Sequence, residues 1–254
     1  MRRFYIENIE GNTAIIGGSE AHHIKDVLRQ KPGDIVFLFD GAGSEYEAEI
    51  SGFRPAAAGS EAVLKIISKV KRDTEPSVKI FLYQSLPRFK KFDFIVEKST
   101  ELGVFKIIPV ISERTNFNLP SERGEVKLAR WRKIAMSAAK QCGRAVVPEV
   151  ADITKFEDAV GEVSKRRLQP GAITGEISII PWESEQKTTL KEVLRRPSGI
   201  SSVNLFIGPE GGFSGAEIEL AISNKILPVS LGKRILRAET APIAAISNIL
   251  YELG

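Results

Sequence analysis

Apolar and polar positions divide this chain into two rhythms. In its first part, apolar residues come in short runs: Arg3–Glu7, Thr13–Ile16, Ile35–Asp40, Tyr46–Ile50 and Val63–Val70. Gly11, Gly17-Gly18, Pro32-Gly33, Gly41 and Gly43 punctuate them, so they read as short strands joined by tight turns. One helix is expected among them, Glu20–Gln30, with Ser19 as its N-cap and Pro32-Gly33 as its stop. Pro55–Gly59 reads as a loop. Small strands around one helix predict a small β-barrel.

The rhythm changes after the polar, proline-bearing stretch Lys71–Ser77, which sets expected domains at 1–72 and 73–254. Val78–Gln84 reads as a near-continuous apolar strand. Lys91–Leu102 carries Phe92, Ile95, Val96 and Leu102 at helical spacing, with Gly103 behind it as a cap. Further strands are expected at Phe105–Ile111, Val203–Ile207 and Ile226–Leu231. Helices are expected at Lys127–Cys142, ended by Gly143, and from about Thr240 to Leu253, with Pro242 harmless in the first turn. Thr154–Glu157 and Ser214–Glu217 each spell a capping box. Strand–helix alternation predicts an α/β domain with a mostly parallel sheet. Such sheets bind ligands beyond the carboxyl ends of their strands. The loops after Ile207 and Leu231 are therefore where chemistry is expected.

Composition narrows the classes. At 254 residues, 43% hydrophobic and 27% charged, the chain suits one large or two modest globular domains. It contains no apolar run of about 20 residues, so no transmembrane helix is expected. Glu7 arrives too early for a signal-peptide core. The single cysteine, Cys142, excludes an internal disulfide and a cysteine-cage metal site. His22 and His23, the only histidines, make a zinc cluster an unattractive reading. A cytoplasmic protein without membrane or metal partner is the expectation. The net charge of +4 permits a polyanionic partner without demanding one.

Two segments carry candidate chemistry. In Leu205-Phe-Ile-Gly-Pro-Glu-Gly-Gly-Phe-Ser-Gly-Ala-Glu217, an apolar strand ends in glycines and a capped helix follows. Gly208, Gly211 and Gly212 allow a ligand close to the backbone. No Gly-Lys-Ser/Thr closes the loop, the spacing is not Gly-x-Gly-x-x-Gly, and Glu210 stands where a phosphate loop wants lysine. The loop therefore suits an uncharged nucleoside or a cationic cofactor. S-adenosylmethionine has no phosphate and carries a sulfonium. In Leu231-Gly-Lys-Arg-Ile-Leu-Arg-Ala-Glu-Thr-Ala241, Gly232 again admits something close, and Lys233, Arg234 and Arg237 are three cations. Ile235 and Leu236 between them could form an apolar slot for an adenine, edged by arginines for RNA phosphates. Alternatively, Arg234 or Arg237 pairs with Glu239 on a solvated surface.

Taken together, Ile207-Gly-Pro-Glu-Gly-Gly-Phe-Ser214 and Leu231-Gly-x-Arg-Ile-Leu-Arg-x-Glu-Thr-Ala241 closely resemble the RsmE family of 16S rRNA (uracil-N3-)-methyltransferases, of the knotted SPOUT class. Glu97–Val104, Arg130–Arg144 and His22–Arg29 followed by Gly33-Asp34 resemble other family segments. The resemblance implies an α/β methyltransferase domain with a deep trefoil knot behind a PUA-like RNA-binding β-barrel. It implies a homodimer, with the helix carrying Ile243, Ile246 and Ile249 suited to burial on more than one face. It implies S-adenosylmethionine held by three loops: Ile180 and Trp182; Leu205, Ile207, Gly208, Pro209, Gly211 and Gly212; and Leu231, Gly232, Ile235, Leu236, Thr240 and Ala241. The implied substrate is one uridine of 16S rRNA in the 30S subunit, U1498 in the usual rRNA numbering. His22 and His23 become candidate RNA contacts, as do Arg2, Arg3 and Arg29.

Uracil N3 holds a proton and is a poor nucleophile until that proton leaves or the anion is stabilised. Glu210 and Glu239 are the motif carboxylates that could take it. Arg234 or Arg237 could stabilise charge on the flanking carbonyl oxygens. The run Arg88, Lys90 and Lys91 reads as a solvated basic face, and Trp131 as core. Two other classes stay open: a related knotted methyltransferase acting on tRNA or another nucleotide, and a non-enzymatic PUA-like RNA-binding protein.

Overall fold

The structure of the protein, a computed structural model, describes residues 3–56, 59–70, 72–88, 91–115, 121–168, 175–195 and 199–254. The chain forms two compact units. The first is residues 1–75 together with 139–147; the second is residues 76–138 together with 148–254. Arg2 lies outside the described residues.

In the first unit, β1 (Arg3–Tyr5), β2 (Ile9–Glu10), β3 (Thr13–Ile16), β4 (Ile35–Phe39), β5 (Glu45–Ala56) and β6 (Gly59–Val70) form one sheet in the order β1-β4-β5-β6-β3-β2. Every pairing is antiparallel except β1 with β4. Among the described residues the hydrogen-bonded order runs from β1 to β2 with no pairing between these two end strands. Inward residues two apart along each strand, such as Val36 and Leu38 or Ala62 and Leu64, are fully buried and form its core.

Two local expectations change. The stretch read as the loop Pro55–Gly59 continues the β5–β6 hairpin, with Pro55 opposite Ser60 and Ala56 opposite Gly59. The expected helix from Glu20 is instead a single α turn, α1 (Gly18–His22), running into a π-helical turn over His23–Val27. Gly17, not Ser19, is at its N-cap, with no side-chain cap.

Arg3 is a third correction. A phosphate contact needs an accessible guanidinium, but Arg3 is 1% exposed. Its Nε donates to Glu45 Oε2 at 3.1 Å, Nη1 to the Ala139 carbonyl at 3.1 Å and Nη2 to the Arg144 carbonyl at 2.5 Å. The cation also lies 3.9 Å from the centre of the Phe39 ring. Arg72 reaches the other oxygen of Glu45 at 3.0 Å. Arg3 is therefore a buried cross-link within the first unit, joining β1 and β5 to residues 139–144.

The second unit follows the alternation read from the sequence. Its elements are β7 (Lys79–Ser85), α2 (Lys91–Glu101), β8 (Lys106–Ile111), α3 (Ser121–Cys142, whose last turn from Ala139 groups with the first unit), β9 (Glu149–Val150), β10 (Thr154–Lys155), α4 (Phe156–Leu168), β11 (Glu176–Pro181), α5 (Leu190–Arg195), β12 (Ser202–Ile207), α6 (Gly215–Ser223), β13 (Leu227–Val229) and α7 (Thr240–Leu253). The strands run β10-β8-β7-β12-β11-β13, with β9 also on β8, and every pair is parallel. Central β12 is buried along its whole length, as a sheet covered on both faces requires. Trp131 is buried against Phe92, as core.

One capping box forms and one does not. At α6, Ser214 Oγ accepts from the Glu217 amide while the Glu217 carboxylate accepts from the Ser214 amide at 2.8 Å. At Thr154, strand pairing wins: Thr154 and Lys155 lie opposite Val110 and Ile111 of β8, and α4 starts only at Phe156.

Candidate cofactor-binding site

Registers bring the ends of three strands together. Ile179 of β11 lies beside both Leu205 of β12 and Leu227 of β13, and Pro181 lies beside Val229. The segments after Pro181, Ile207 and Val229 therefore leave the sheet at one edge. They enclose a cavity of about 420 Å³. Trp182, Ile207, Phe213, Leu231, Ile235 and Leu236 give it apolar walls, while Glu183, Glu210, Lys91, Lys233, Arg234 and Arg237 supply charge.

The glycine loop is shaped by local hydrogen bonds. The Gly212 amide donates to the Pro209 carbonyl at 3.0 Å, closing a tight turn. Gly212 has φ +67°, and a methyl group built on it would lie 2.6 Å from Glu183 Oε1, so both conformation and space call for glycine. The segment after β8 braces this loop from outside. The Glu113 amide donates to Glu217 Oε1 at 2.9 Å, and Arg114 Nη1 donates to the Gly211 carbonyl at 2.8 Å.

Electrostatics separates the charged residues. Lys91 Nζ lies 3.0 Å from Glu210 Oε1 and 3.1 Å from Glu239 Oε2, the second contact lying off the hydrogen-bond direction. The Arg88 amide donates to both Glu210 oxygens, at 3.1 and 3.2 Å. Partial burial pushes the Glu210 carboxyl up. The hydrogen bonds from its own backbone, Lys91 and the Arg88 amide together outweigh that, and the net direction is down. Lys91 moves up because the two carboxylates beside it favour its charged form. Arg234 and Arg237 are exposed, and neither makes a hydrogen bond or ion pair with any described side chain.

Of the expected cofactor residues, Trp182, Ile207, Gly208, Pro209, Gly212, Leu231, Gly232, Ile235, Leu236 and Ala241 line the cavity. Ile180 and Leu205 do not: both are fully buried in strands and belong to the core. Gly211 turns toward Arg114, and Gly211 and Thr240 are likewise outside the lining. Lys91 lines the site although its basic run read as solvated surface; no local signal marked it, because its partners are Glu210 and Glu239. In the first unit, His22 is exposed and paired with Asp26 at 2.7 Å, and His23 packs edge-on against Phe4. Arg29 is exposed with φ +51°, an uncommon backbone for a non-glycine residue.

The cavity's chemistry tests a phosphate-free adenosine cofactor. The α6 amino terminus is occupied by its own Ser214 and Glu217 rather than left open for a phosphate. Carboxylates at Glu183 and Glu210 suit a cationic ligand, and the apolar walls suit an adenine. A parallel α/β sheet with a self-capped glycine loop and an apolar cavity bearing charges of both signs at its carboxyl edge is the arrangement of a nucleoside-cofactor enzyme, the class to which methyltransferases belong.

Comparison with known proteins agrees. The RNA methyltransferase domain family matches residues 74–250, and the RNA methyltransferase PUA domain matches residues 16–53. The chain is 30% identical to the Bacillus subtilis ribosomal RNA small subunit methyltransferase E, over 99% of this chain and 97% of that protein. It is 32% identical to the Synechocystis protein of the same name, over 96% of this chain and 74% of the relative. Among solved structures, the Neisseria gonorrhoeae ribosomal RNA small subunit methyltransferase E bound to S-adenosylmethionine has a TM-score of 0.83 at 33% identity, covering 99% of this chain and 97% of that one. A putative methyltransferase from Legionella pneumophila, solved with S-adenosylmethionine, has a TM-score of 0.83 at 30% identity, with coverages of 98% and 97%. The chain belongs to the RNA methyltransferase family, with the small subunit methyltransferase E proteins among its full-length relatives.

Proposed function

We propose that the chain methylates N3 of one uridine of 16S rRNA, U1498 in the usual numbering, in the 30S subunit, using S-adenosylmethionine. The observation that carries this is the glycine loop whose following helix caps itself and which carries Glu210 where a phosphate loop wants lysine, beside an apolar-walled cavity. Trp182, Ile207, Gly208, Gly212, Leu231 and Leu236 would hold the cofactor, which supplies a methyl group activated by its sulfonium. The chain's own work is to place the uracil and weaken N3's hold on its proton. Arg237 and Arg234, exposed at the cavity with no ion pair among the described side chains, are suited to bear charge developing on the uracil carbonyl oxygens. Glu210 and Glu239 are the alternative bases. The tie to Lys91 argues against that role for Glu210, whose carboxyl is held below its ordinary range and is a weak base, and Glu239 lies against the same ammonium.

The first unit is the RNA-binding domain in this reading, with Arg29, His22 and His23 as contacts, and the second is the catalytic domain. The trefoil knot has a specific support: α7 follows edge strand β13 yet packs against α2 and central β7. The intervening segment must therefore pass across the carboxyl ends of β11 and β12. The homodimer has another: Tyr251 is 90% exposed on α7, and Ile235 is 87% exposed at the cavity. No helix among the described residues is long and apolar enough to cross a membrane, and no described cluster of metal-ligating side chains exists. In this reading the enzyme meets its ribosomal substrate in the cytoplasm.

The test is mass spectrometric mapping of 16S rRNA from cells lacking the gene and from complemented cells. Loss and return of one N3-methyluridine supports the reading. An altered tRNA nucleotide or no altered nucleotide would favour the other two classes. Calorimetry with S-adenosylmethionine and ATP on the purified protein should show binding of the first alone.

A further inference from the structure

Three chain segments meet at one ammonium group. Lys91 is the first residue of α2, Glu210 sits inside the glycine loop after β12, and Glu239 is the N-cap residue of α7. Lys91 Nζ is 3.0 Å from one carboxylate and 3.1 Å from the other. Glu210 has a second anchor in the Arg88 amide, but that anchor does not reach Glu239. Among the described residues, Lys91 is the side chain whose cation joins both loops. Side-chain exposures of 32% for Lys91, 31% for Glu210 and 19% for Glu239 place the junction at the rim, where it competes with water.

We propose that Lys91 is a positioning residue: its ammonium clamps the Gly208–Gly212 loop to the segment 231–239 and so holds the cavity at the width its ligand needs. This rests on the reading of the cavity as the S-adenosylmethionine site. Arg114 and the Arg88 amide brace the glycine loop on its other side, and neither reaches the segment 231–239. The clamp also explains two acidic side chains at a site whose reaction needs a proton removed. With one ammonium shared between them, Glu210 and Glu239 act as struts, and the N3 proton passes to solvent water while the neighbouring arginine cations stabilise the uracil anion left behind.

The test uses the full chain with Lys91→Met, which keeps length and helix propensity but removes the charge, and with Lys91→Arg. Hydrogen exchange is first followed in the cofactor-free protein at the Gly212 amide, bonded to Pro209, and at the Thr240 and Ala241 amides, bonded to Arg237. Exchange in Lys91→Met should quicken about fivefold on both sides of the cavity, the scale a part-exposed ion pair supports. Affinity for S-adenosylmethionine should fall by a similar factor, with KM rising and kcat little changed, and Lys91→Arg should restore most of both. Unchanged exchange, or a change confined to one loop, would overturn the clamp whether or not the cofactor binds. Quickened exchange with unaltered affinity and KM would overturn its link to the site. If exchange quickens on both sides while the wild-type protein binds no S-adenosylmethionine, the clamp stands and the cofactor reading fails.

Discussion

Replacing Arg3 by alanine separates two ideas about an arginine at the start of an RNA-binding module. If it gripped phosphate, its loss would weaken RNA binding and leave folding intact. The structure argues for the opposite. Arg3→Ala removes three buried hydrogen bonds, to the Glu45 carboxylate and to the Ala139 and Arg144 carbonyls. It also leaves the fully buried Glu45 carboxylate with Arg72 alone. Breaking a buried pair from one side costs about 3–5 kcal/mol, and the surviving Arg72 contact points to the lower end, about 3 kcal/mol. For a chain of this size melting as one cooperative unit each kcal/mol lowers Tm by about 2–4 °C, so Tm should fall by about 6–12 °C. Differential scanning calorimetry reads this directly. Arg3→Met, which fills the volume without the charge, should recover only part of it, because Glu45 stays under-compensated. The double variant Arg3→Met with Glu45→Gln should be milder than the sum of the two single changes. The reasoning is refuted if Arg3→Ala melts within about 1 °C of wild type while RNA affinity drops, the pattern of a solvent-facing phosphate contact.

Gly212→Val should lose most S-adenosylmethionine affinity by calorimetry, because a branched residue at φ +67° is strained and displaces Glu183; unchanged affinity in a folded variant would move the cofactor elsewhere. Arg237→Ala should bind 30S particles nearly normally and lower single-turnover methylation at saturating substrate; a loss confined to affinity would make it a phosphate contact. Arg29→Ala should show the reverse, weaker binding with a salt slope shallower by about one unit and normal turnover once bound. The stability contributed by the Lys91–Glu210 pair should be greatest across neutral pH. Glu210, with its pKa lowered on folding, contributes above its ordinary range and loses the contribution as pH falls through the depressed value. Lys91, raised, contributes below its ordinary value and loses it as pH climbs through the elevated one. The melting difference between wild type and Lys91→Met should vanish in acid, and a difference that grew there would contradict the pairing.

What the sequence disclosed and what it hid divide along the range of the interactions. The Ser214 capping box was legible because all its partners lie within four residues. Thr154–Glu157 has the same spelling but fails, because β8 offers Thr154 and Lys155 strand partners that only the folded sheet supplies. The glycine loops could be placed at the sheet's carboxyl edge from alternation alone, since a parallel sheet leaves few other sites for them. Ile180 and Leu205 show the limit of that inference. A motif marks the neighbourhood of a ligand, but within a strand the side chains that serve the core and those at the end that meet the ligand look equally apolar. Arg3 and Lys91 were misread for one reason. Each is a cation beside other basic residues, and each is neutralised by residues tens to more than a hundred positions away.

The first unit is also interrupted in time. Its chain is made first, but its last pieces, Ala139–Val147, follow a long excursion through the second unit. Until they emerge, Arg3 lacks its carbonyl acceptors, Gly43 lacks the Ala145 carbonyl and Gly41 lacks the Val147 amide. At cellular synthesis rates that wait is on the order of ten seconds. The amino-terminal unit, first off the ribosome, thus cannot be the first to finish, and a stall in translation between residues 75 and 139 would leave it open with a buried charge still unsatisfied.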